Sequence, residues 1–83
     1  RGAVKANRAY ELIVRKGGRG PALLASSDRS DIVEIVEIDS GEVVLLWDTL
    51  PAQTGRLTRA LKADLAQLDA AEFLTRWRRY ESR

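Results

Sequence analysis

Residues 31–48, DIVEIVEIDSGEVVLLWD, decide the fold of this chain. Two apolar runs flank the turn-forming residues Asp39, Ser40 and Gly41, and β-branched side chains dominate the first run. Such side chains favour a strand, and a glycine that closes a short polar turn is typical of a hairpin with a type I turn and a bulge. We therefore predict a central β-hairpin over this stretch.

Both strands of the hairpin are apolar on both faces, because their apolar residues do not alternate strictly with polar ones. If Val36 pairs with Val44 and Val33 with Trp47, the side chains divide into two layers. The helices of so short a chain cover one sheet face, which leaves the other face either for a partner or for the N-terminal leader and the 17–30 loop to cover. The first layer contains Val33, Ile35, Val43, Leu45 and Trp47, and the second contains Ile32, Val36, Ile38, Val44 and Leu46. We predict the second layer to be the interface, although this register leaves open which layer the helices cover.

The C-terminal third of the chain has helical periodicity with an interruption near Asp69. Four leucines, at positions 57, 61, 65 and 68, form one apolar stripe. Asp69 and Glu72 have the spacing of a helix-capping box, which predicts that a second helix begins there. Glu72 and Arg76 are then placed for an i,i+4 ion pair. We predict two helices, or one bent helix that is broken near Asp69.

The remaining segments complete an α+β fold. We expect residues 1–8 to be a frayed basic leader and residues 9–16, AYELIVRK, to form a first strand. The glycine-rich residues 17–20 predict a turn, and residues 22–25 a short returning strand. The sequence thus predicts a single 83-residue domain, with a small antiparallel sheet of three or four strands around the hairpin and the helices after it.

The composition argues against an enzyme. The chain has no His and no Cys, so the usual general base near neutral pH, the thiol nucleophile and the commonest metal ligands are missing. Four carboxylates recur at steps of three residues, but on a strand this spacing scatters them and builds no metal site. They are Asp28, Asp31, Glu34 and Glu37. We expect no catalytic residues, no cofactor and no metal.

Two further features concern location. No apolar run approaches the roughly 20 residues that span a bilayer, so we expect no membrane partner. The absence of Cys suits the reducing cytoplasm, and a chain rich in Ala and Arg with few Lys is typical of GC-rich bacterial genomes.

The net charge of +2 conceals three blocks of different sign. Residues 1–20 carry six basic side chains against one acidic, residues 21–50 one against seven, and residues 51–83 seven against four. The blocks can neutralise one another within the fold, or the basic ends can form a surface for an anionic partner. Such a surface would use Arg15, Lys16 and Arg19 of the first block and Arg76, Arg78 and Arg79 of the last.

These observations lead to two hypotheses from different classes. The first is a non-enzymatic assembly or protein-interaction domain that self-associates through an apolar sheet face, as a homodimer or with a neighbouring protein or domain. The alternative is a domain that binds nucleic acid or another polyanion through the two basic groups. Trp77 and Tyr80 alternate with the C-terminal arginines, but on a helix they share a side with Phe73 and are expected in the core or an interface.

Overall fold

The protein has an α+β fold in which an antiparallel three-stranded sheet is followed by two C-terminal helices, as predicted. The structure, a computed structural model, describes residues 4–16 and 30–81. In chain order the elements are α1 (Ala6–Ala9), β1 (Tyr10–Arg15), β2 (Asp31–Glu37), β3 (Val43–Thr49), α2 (Pro51–Gln67) and α3 (Ala70–Arg78). The predicted turn at residues 17–20 and the predicted short strand at residues 22–25 lie outside the described residues.

The sheet has the order β1-β2-β3, with the hairpin strand β2 in the middle. Val33 pairs with Trp47, as predicted, but Val36 pairs with Val43 and not with Val44. A β-bulge between Ile35 and Val36 causes this one-residue difference. A bulge inserts an extra residue into one strand, and here Val44 packs against the buried core instead of joining the second layer. The predicted register is therefore wrong beyond Ile35.

The hairpin turn uses Gly41 as the sequence predicts. This glycine has φ +76°, in the left-handed region that a side chain disfavours. Its backbone N–H donates to the carbonyl oxygen of Glu37 at 2.8 Å. The Ser40 hydroxyl donates to the Glu37 carboxylate at 2.7 Å and accepts from the backbone N–H of Glu42 at 3.2 Å. These bonds connect Glu37, which precedes the turn, to Ser40 and Gly41 within the turn and connect Ser40 to Glu42.

The helices cover the first of the two predicted layers. Val33, Ile35 and Leu45 are fully buried, and they share one core with Leu61 of α2 and Phe73 of α3. Tyr10 on β1 stacks on Phe73 with 6.0 Å between ring centroids. The question that the sequence left open is thus answered for three residues of the second layer: Ile32, Val36 and Leu46 face away from the helices.

The interruption between the last two helices lies where the sequence places it. Asp69 is the N-cap of α3, and its carboxylate accepts from the backbone N–H of Glu72 at 3.0 Å. The predicted partner of Arg76 is corrected, because its guanidinium contacts the carboxylate of Asp64 on α2 at 3.3 Å. Asp64 is held in place by the indole N–H of Trp77 at 2.9 Å, so it is a preorganised acceptor.

The N-terminal segment is docked, and for residues 4–8 the prediction of a frayed leader is wrong. Ala6 is completely buried. Its backbone N–H donates to the carbonyl oxygen of Leu68 at 3.0 Å, and the N–H of Ala70 donates to the carbonyl oxygen of Val4 at 2.7 Å. The break between α2 and α3 leaves backbone groups without helical partners, and residues 4–6 supply those partners.

Candidate interaction surface

The sheet presents one face to the helices and the opposite face away from them. Residues directly opposite each other in neighbouring strands lie on the same face, and Ile13 pairs with Glu34, which pairs with Leu46. The helices α1, α2 and α3 pack on the other side of the sheet. We call the side that carries none of these helices the open sheet face; it consists of Ile13, Ile32, Glu34, Val36, Val43 and Leu46, with Glu11, Arg15 and Asp48 at its ends.

Of the predicted interface residues, the structure brings Ile32, Val36 and Leu46 together on the open sheet face, where each is half-buried. Ile38 lies in the hairpin turn and is 51% exposed. Val44 packs against the core because of the bulge. The prediction thus names three residues that share a face and two that do not.

Ile13 belongs to the open sheet face, although the sequence prediction of the interface omitted it. It lies on β1 opposite Glu34 and is half-buried. Alternation along β1 already separates it from Tyr10, Leu12 and Val14. Its place beside the hairpin layer depends on the pairing of β1 with β2, which strand periodicity alone does not provide.

Glu34 is the charged centre of the open sheet face. It is 8% exposed, and Arg15 donates from Nε to its Oε1 atom at 3.2 Å. The two ends of this ion pair differ, because the side chain of Arg15 is 65% exposed and that of Glu34 is 10% exposed. A nearly buried carboxylate is retained only if it is paired, so Arg15 is the partner that makes the apolar surroundings of Glu34 tolerable.

The carboxylates that recur at steps of three do not converge. Asp31 and Glu37 lie on the helix side of β2, and Glu34 lies on the other side. Asp31 is buried, and its Oδ2 atom accepts from the Thr54 hydroxyl at 2.7 Å. Within residues 4–16 and 30–81, no group of three or more His, Cys, Asp or Glu side chains could hold a metal ion.

The two basic groups of the polyanion hypothesis are not joined into one surface. Arg15 lies on the open sheet face, whereas α3 with Arg76 and Arg78 packs on the opposite side of the sheet. Lys16 is exposed just after β1 and Arg79 just after α3. Arg19 lies outside the described residues.

Tyr10 locates the C-terminal basic group relative to the sheet. Burial raises the pKa of Tyr10 above its ordinary value of 10.0; the nearby Glu37 carboxylate also raises it, and Arg78 lowers it in part. Tyr10 also stacks on Phe73 of α3, so α3 lies against the start of β1, while Arg15 is at the end of that strand. Five strand residues separate the two positions by roughly 17 Å.

The outer edge of β3 is closed by the segment that follows α3. The backbone N–H of Leu46 donates to the Glu81 carboxylate at 3.1 Å. One residue away, the indole N–H of Trp47 donates to the carbonyl oxygen of Tyr80 at 2.7 Å. An edge N–H that points away from the sheet has thus acquired a partner from the same chain.

Comparisons with protein-family models, curated proteins and solved structures give no match for this chain. Among the helices that the structure describes, none is both long and apolar enough to cross a membrane. Function is therefore inferred from the physical character of the surface.

Proposed function

We propose that this chain is a non-enzymatic assembly domain that associates with a second copy through the open sheet face. The observation that supports the proposal is the position of Ile13, Ile32, Val36 and Leu46, which lie together on the side of the sheet opposite every described helix. Apolar side chains grouped in this way mark association surfaces more often than isolated ones do. The lack of Cys suits a cytoplasmic site of action.

The energetic scale fits a reversible complex. Complete burial of an aliphatic side chain contributes roughly 1.5–3 kcal/mol, and half-buried side chains gain about half of that. Four such residues from each of two copies would gain roughly 6–12 kcal/mol. Association costs about 4–15 kcal/mol in lost freedom, so the net gain is at most about 8 kcal/mol and we expect a dimer with a Kd of about 1 μM or weaker.

The charges at the ends of the face support a second copy as the partner. Arg15 on β1, Ile32 on β2 and Asp48 on β3 form one row across the sheet. A two-fold axis parallel to β2 places β1 over β3 of the second copy, so that Arg15 faces Asp48 and Ile13 faces Leu46. This axis makes the face complementary to itself, as an isologous dimer requires.

The negative charge of Glu34 opposes this arrangement. It lies in the central strand close to the proposed axis and would approach Glu34 of the second copy. Each carboxylate keeps its own Arg15 at 3.2 Å, which offsets the repulsion between the two. Arg15 then serves the fold and the interface at the same time.

Neighbouring residues on β1 provide a matched test. Ile13 lies on the open sheet face, whereas Val14 lies on the helix side and is already 36% exposed. Ile13→Glu should convert the dimer to a monomer, and Val14→Glu should leave it associated. Light scattering coupled to size exclusion, between about 5 and 500 μM, measures both variants in the range of Kd expected here. A folded wild-type monomer at every concentration, or equal effects of the two variants, would refute the proposal.

A second proposal retains nucleic acid or another polyanion as a ligand of the helical side alone. The helices α2 and α3 carry five Lys or Arg against two Asp or Glu. Binding of this kind weakens steeply with salt, because each neutralised phosphate releases counterions. Electrophoretic shift of a single-stranded or duplex oligonucleotide at low salt tests it, and the absence of any shift would remove it.

A further inference from the structure

An open apolar groove lies where β3, α2 and α3 meet. Its volume is about 450 Å³. Trp47 of β3, Leu57 and Ala60 of α2, and Trp77 of α3 contribute apolar lining, and Tyr80 and Arg56 line it as well. The groove is on the helical side of the protein, so it is separate from the open sheet face.

The aromatic wall of the groove is rigid. The rings of Trp47 and Trp77 meet edge to face, with centroids 5.8 Å apart and planes at 89°, and Trp77 meets Tyr80 at the same distance. Both indole N–H groups are already bonded, to the Tyr80 carbonyl oxygen and to the Asp64 carboxylate. Trp47 is 4% exposed and forms the base of the wall, so the ring surface open to an occupant belongs to the half-buried Trp77 and the exposed Tyr80.

Arg56 is the charged residue among the described residues that line the groove, and none of these residues is Asp or Glu. The nearby Asp64 is held by Trp77 and Arg76. The groove would select an apolar side chain that has carboxylates beside it, because the apolar side chain buries area in the groove and the carboxylates pair with Arg56.

The hairpin turn of the same chain has this chemistry. Ile38 is 51% exposed and stands between Glu37 and Asp39, with Glu42 close behind. The other large apolar side chains that are exposed among the described residues, at positions 4, 14, 50 and 80, do not lie between two carboxylates. The bonds around Gly41 hold the turn in one shape, so it too is preorganised.

A turn cannot reach the groove of its own molecule. The groove contains Trp47 and Thr49, at the end of β3, whereas the turn precedes the start of β3 at Val43. Six residues of strand separate the two ends of β3 by roughly 20 Å. A second copy is therefore the source of the turn.

We infer that the groove receives the hairpin turn of a second copy, with Ile38 against the aromatic wall and the neighbouring carboxylates at Arg56. Such a contact joins unlike surfaces, so it is heterologous and links copies head to tail. It does not depend on the dimer proposed above, because no residue of the open sheet face takes part.

A peptide of residues 36–43, VEIDSGEV, tests the groove directly. Both tryptophans of the chain line the groove, and the peptide contains no aromatic residue, so intrinsic fluorescence reports its binding. We expect a saturable change with a Kd of about 1 mM, because a contact this small binds weakly. The peptide with lysines in place of its two glutamates should bind about tenfold more weakly.

Two charge reversals on α2 provide the control. Arg56→Glu should weaken peptide binding about tenfold, whereas Lys62→Glu makes the same charge change outside the groove and should have no effect. The same titration in the Ile13→Glu background keeps the result independent of the open sheet face. A fluorescence change that is equal in the two variants, or no saturable change up to about 10 mM, would overturn the inference.

Whole-protein complementation identifies the occupant. Asp39→Lys and Arg56→Glu should each weaken head-to-tail association about tenfold when present alone. An equimolar mixture should restore it, because the turn of the first variant then carries the positive charge and the groove of the second carries the negative one. Restoration in sedimentation velocity supports the second copy as partner. If the mixture stays dissociated while a twelve-residue oligothymidylate quenches the fluorescence through Arg56, the groove is a nucleic-acid site and the inference is wrong.

Discussion

Thr54→Val is the perturbation that most directly tests how α2 is fixed to the sheet. Thr54 is 5% exposed and Asp31 is 2% exposed. The Thr54 hydroxyl donates to the Asp31 carboxylate at 2.7 Å and lies 2.9 Å from the Thr49 hydroxyl. Three segments of the chain, at the starts of β2 and α2 and the end of β3, therefore meet at one oxygen atom.

The magnitude follows from burial. Valine has nearly the shape of threonine, so packing changes little and the lost hydroxyl dominates. A hydrogen bond to a charged group is worth about 1.5–3 kcal/mol. We expect the free energy of unfolding to fall by about 2–3 kcal/mol, which for a chain of this size lowers Tm by roughly 8–24 °C.

Thr58→Val is the matched control. Thr58 lies one turn later on α2, and its hydroxyl donates only to the carbonyl oxygen of Gly55 at 3.1 Å in an exposed position. Loss of that bond should change stability by no more than about 0.5 kcal/mol. Urea denaturation followed by circular dichroism measures both variants. If Thr54→Val and Thr58→Val destabilise equally, the Asp31–Thr54 contact does not hold the helix on the sheet.

Three more predictions concern the interface, the turn and Tyr10. Arg15→Asp and Asp48→Arg should each weaken the dimer by roughly tenfold to a hundredfold, because each reverses the charge at two rim contacts. Sedimentation velocity should show the dimer restored when the two variants are mixed. If each variant alone still forms the dimer, the proposed axis is wrong. Gly41→Ala should destabilise by about 1 kcal/mol because φ is +76°, whereas Gly55→Ala, whose Cβ meets only Arg59 at 3.7 Å, should stabilise by about 0.5–1 kcal/mol in urea titrations; changes of the same sign would contradict this. The pKa of Tyr10 in the folded state is raised above 10.0, so its contribution to the free energy of unfolding is complete below pH 10 and is lost as the pH rises through the folded-state pKa. Tyr10→Phe should therefore reduce the loss of stability at alkaline pH in thermal melts. If the melts of the variant and the wild type depend on pH in the same way, this prediction is wrong.

Much of the fold follows from local signals. Gly41 in the turn and Asp69 at the helix start act through their own backbone conformation and one nearby N–H, so the sequence reveals both. The pairing of Val33 with Trp47 is predicted correctly only because the bulge beside Val36 offsets the one-residue error at the turn. The turn glycine and the helix start depend on residues that are close in sequence, where pattern and geometry coincide.

The features that sequence reasoning missed depend on contacts without a side-chain signal. The bulge beside Val36 adds Val44, which is as apolar as its neighbours, so periodicity gives no sign of it. Residues 4–6 dock through backbone hydrogen bonds, which any residue can make. As a result, the candidate interface was predicted with Ile38 and Val44 in the wrong places and without Ile13.

The carboxylate of Glu81 on the Leu46 N–H has a consequence for solubility at high concentration. Open strand edges recruit further strands and so begin the growth of cross-β fibres. At the β3 edge an incoming strand would have to displace a charged acceptor and then face its negative charge. Glu81→Ala should therefore shorten the lag time of fibril formation in concentrated solution, even though it leaves the sheet and its two faces unchanged.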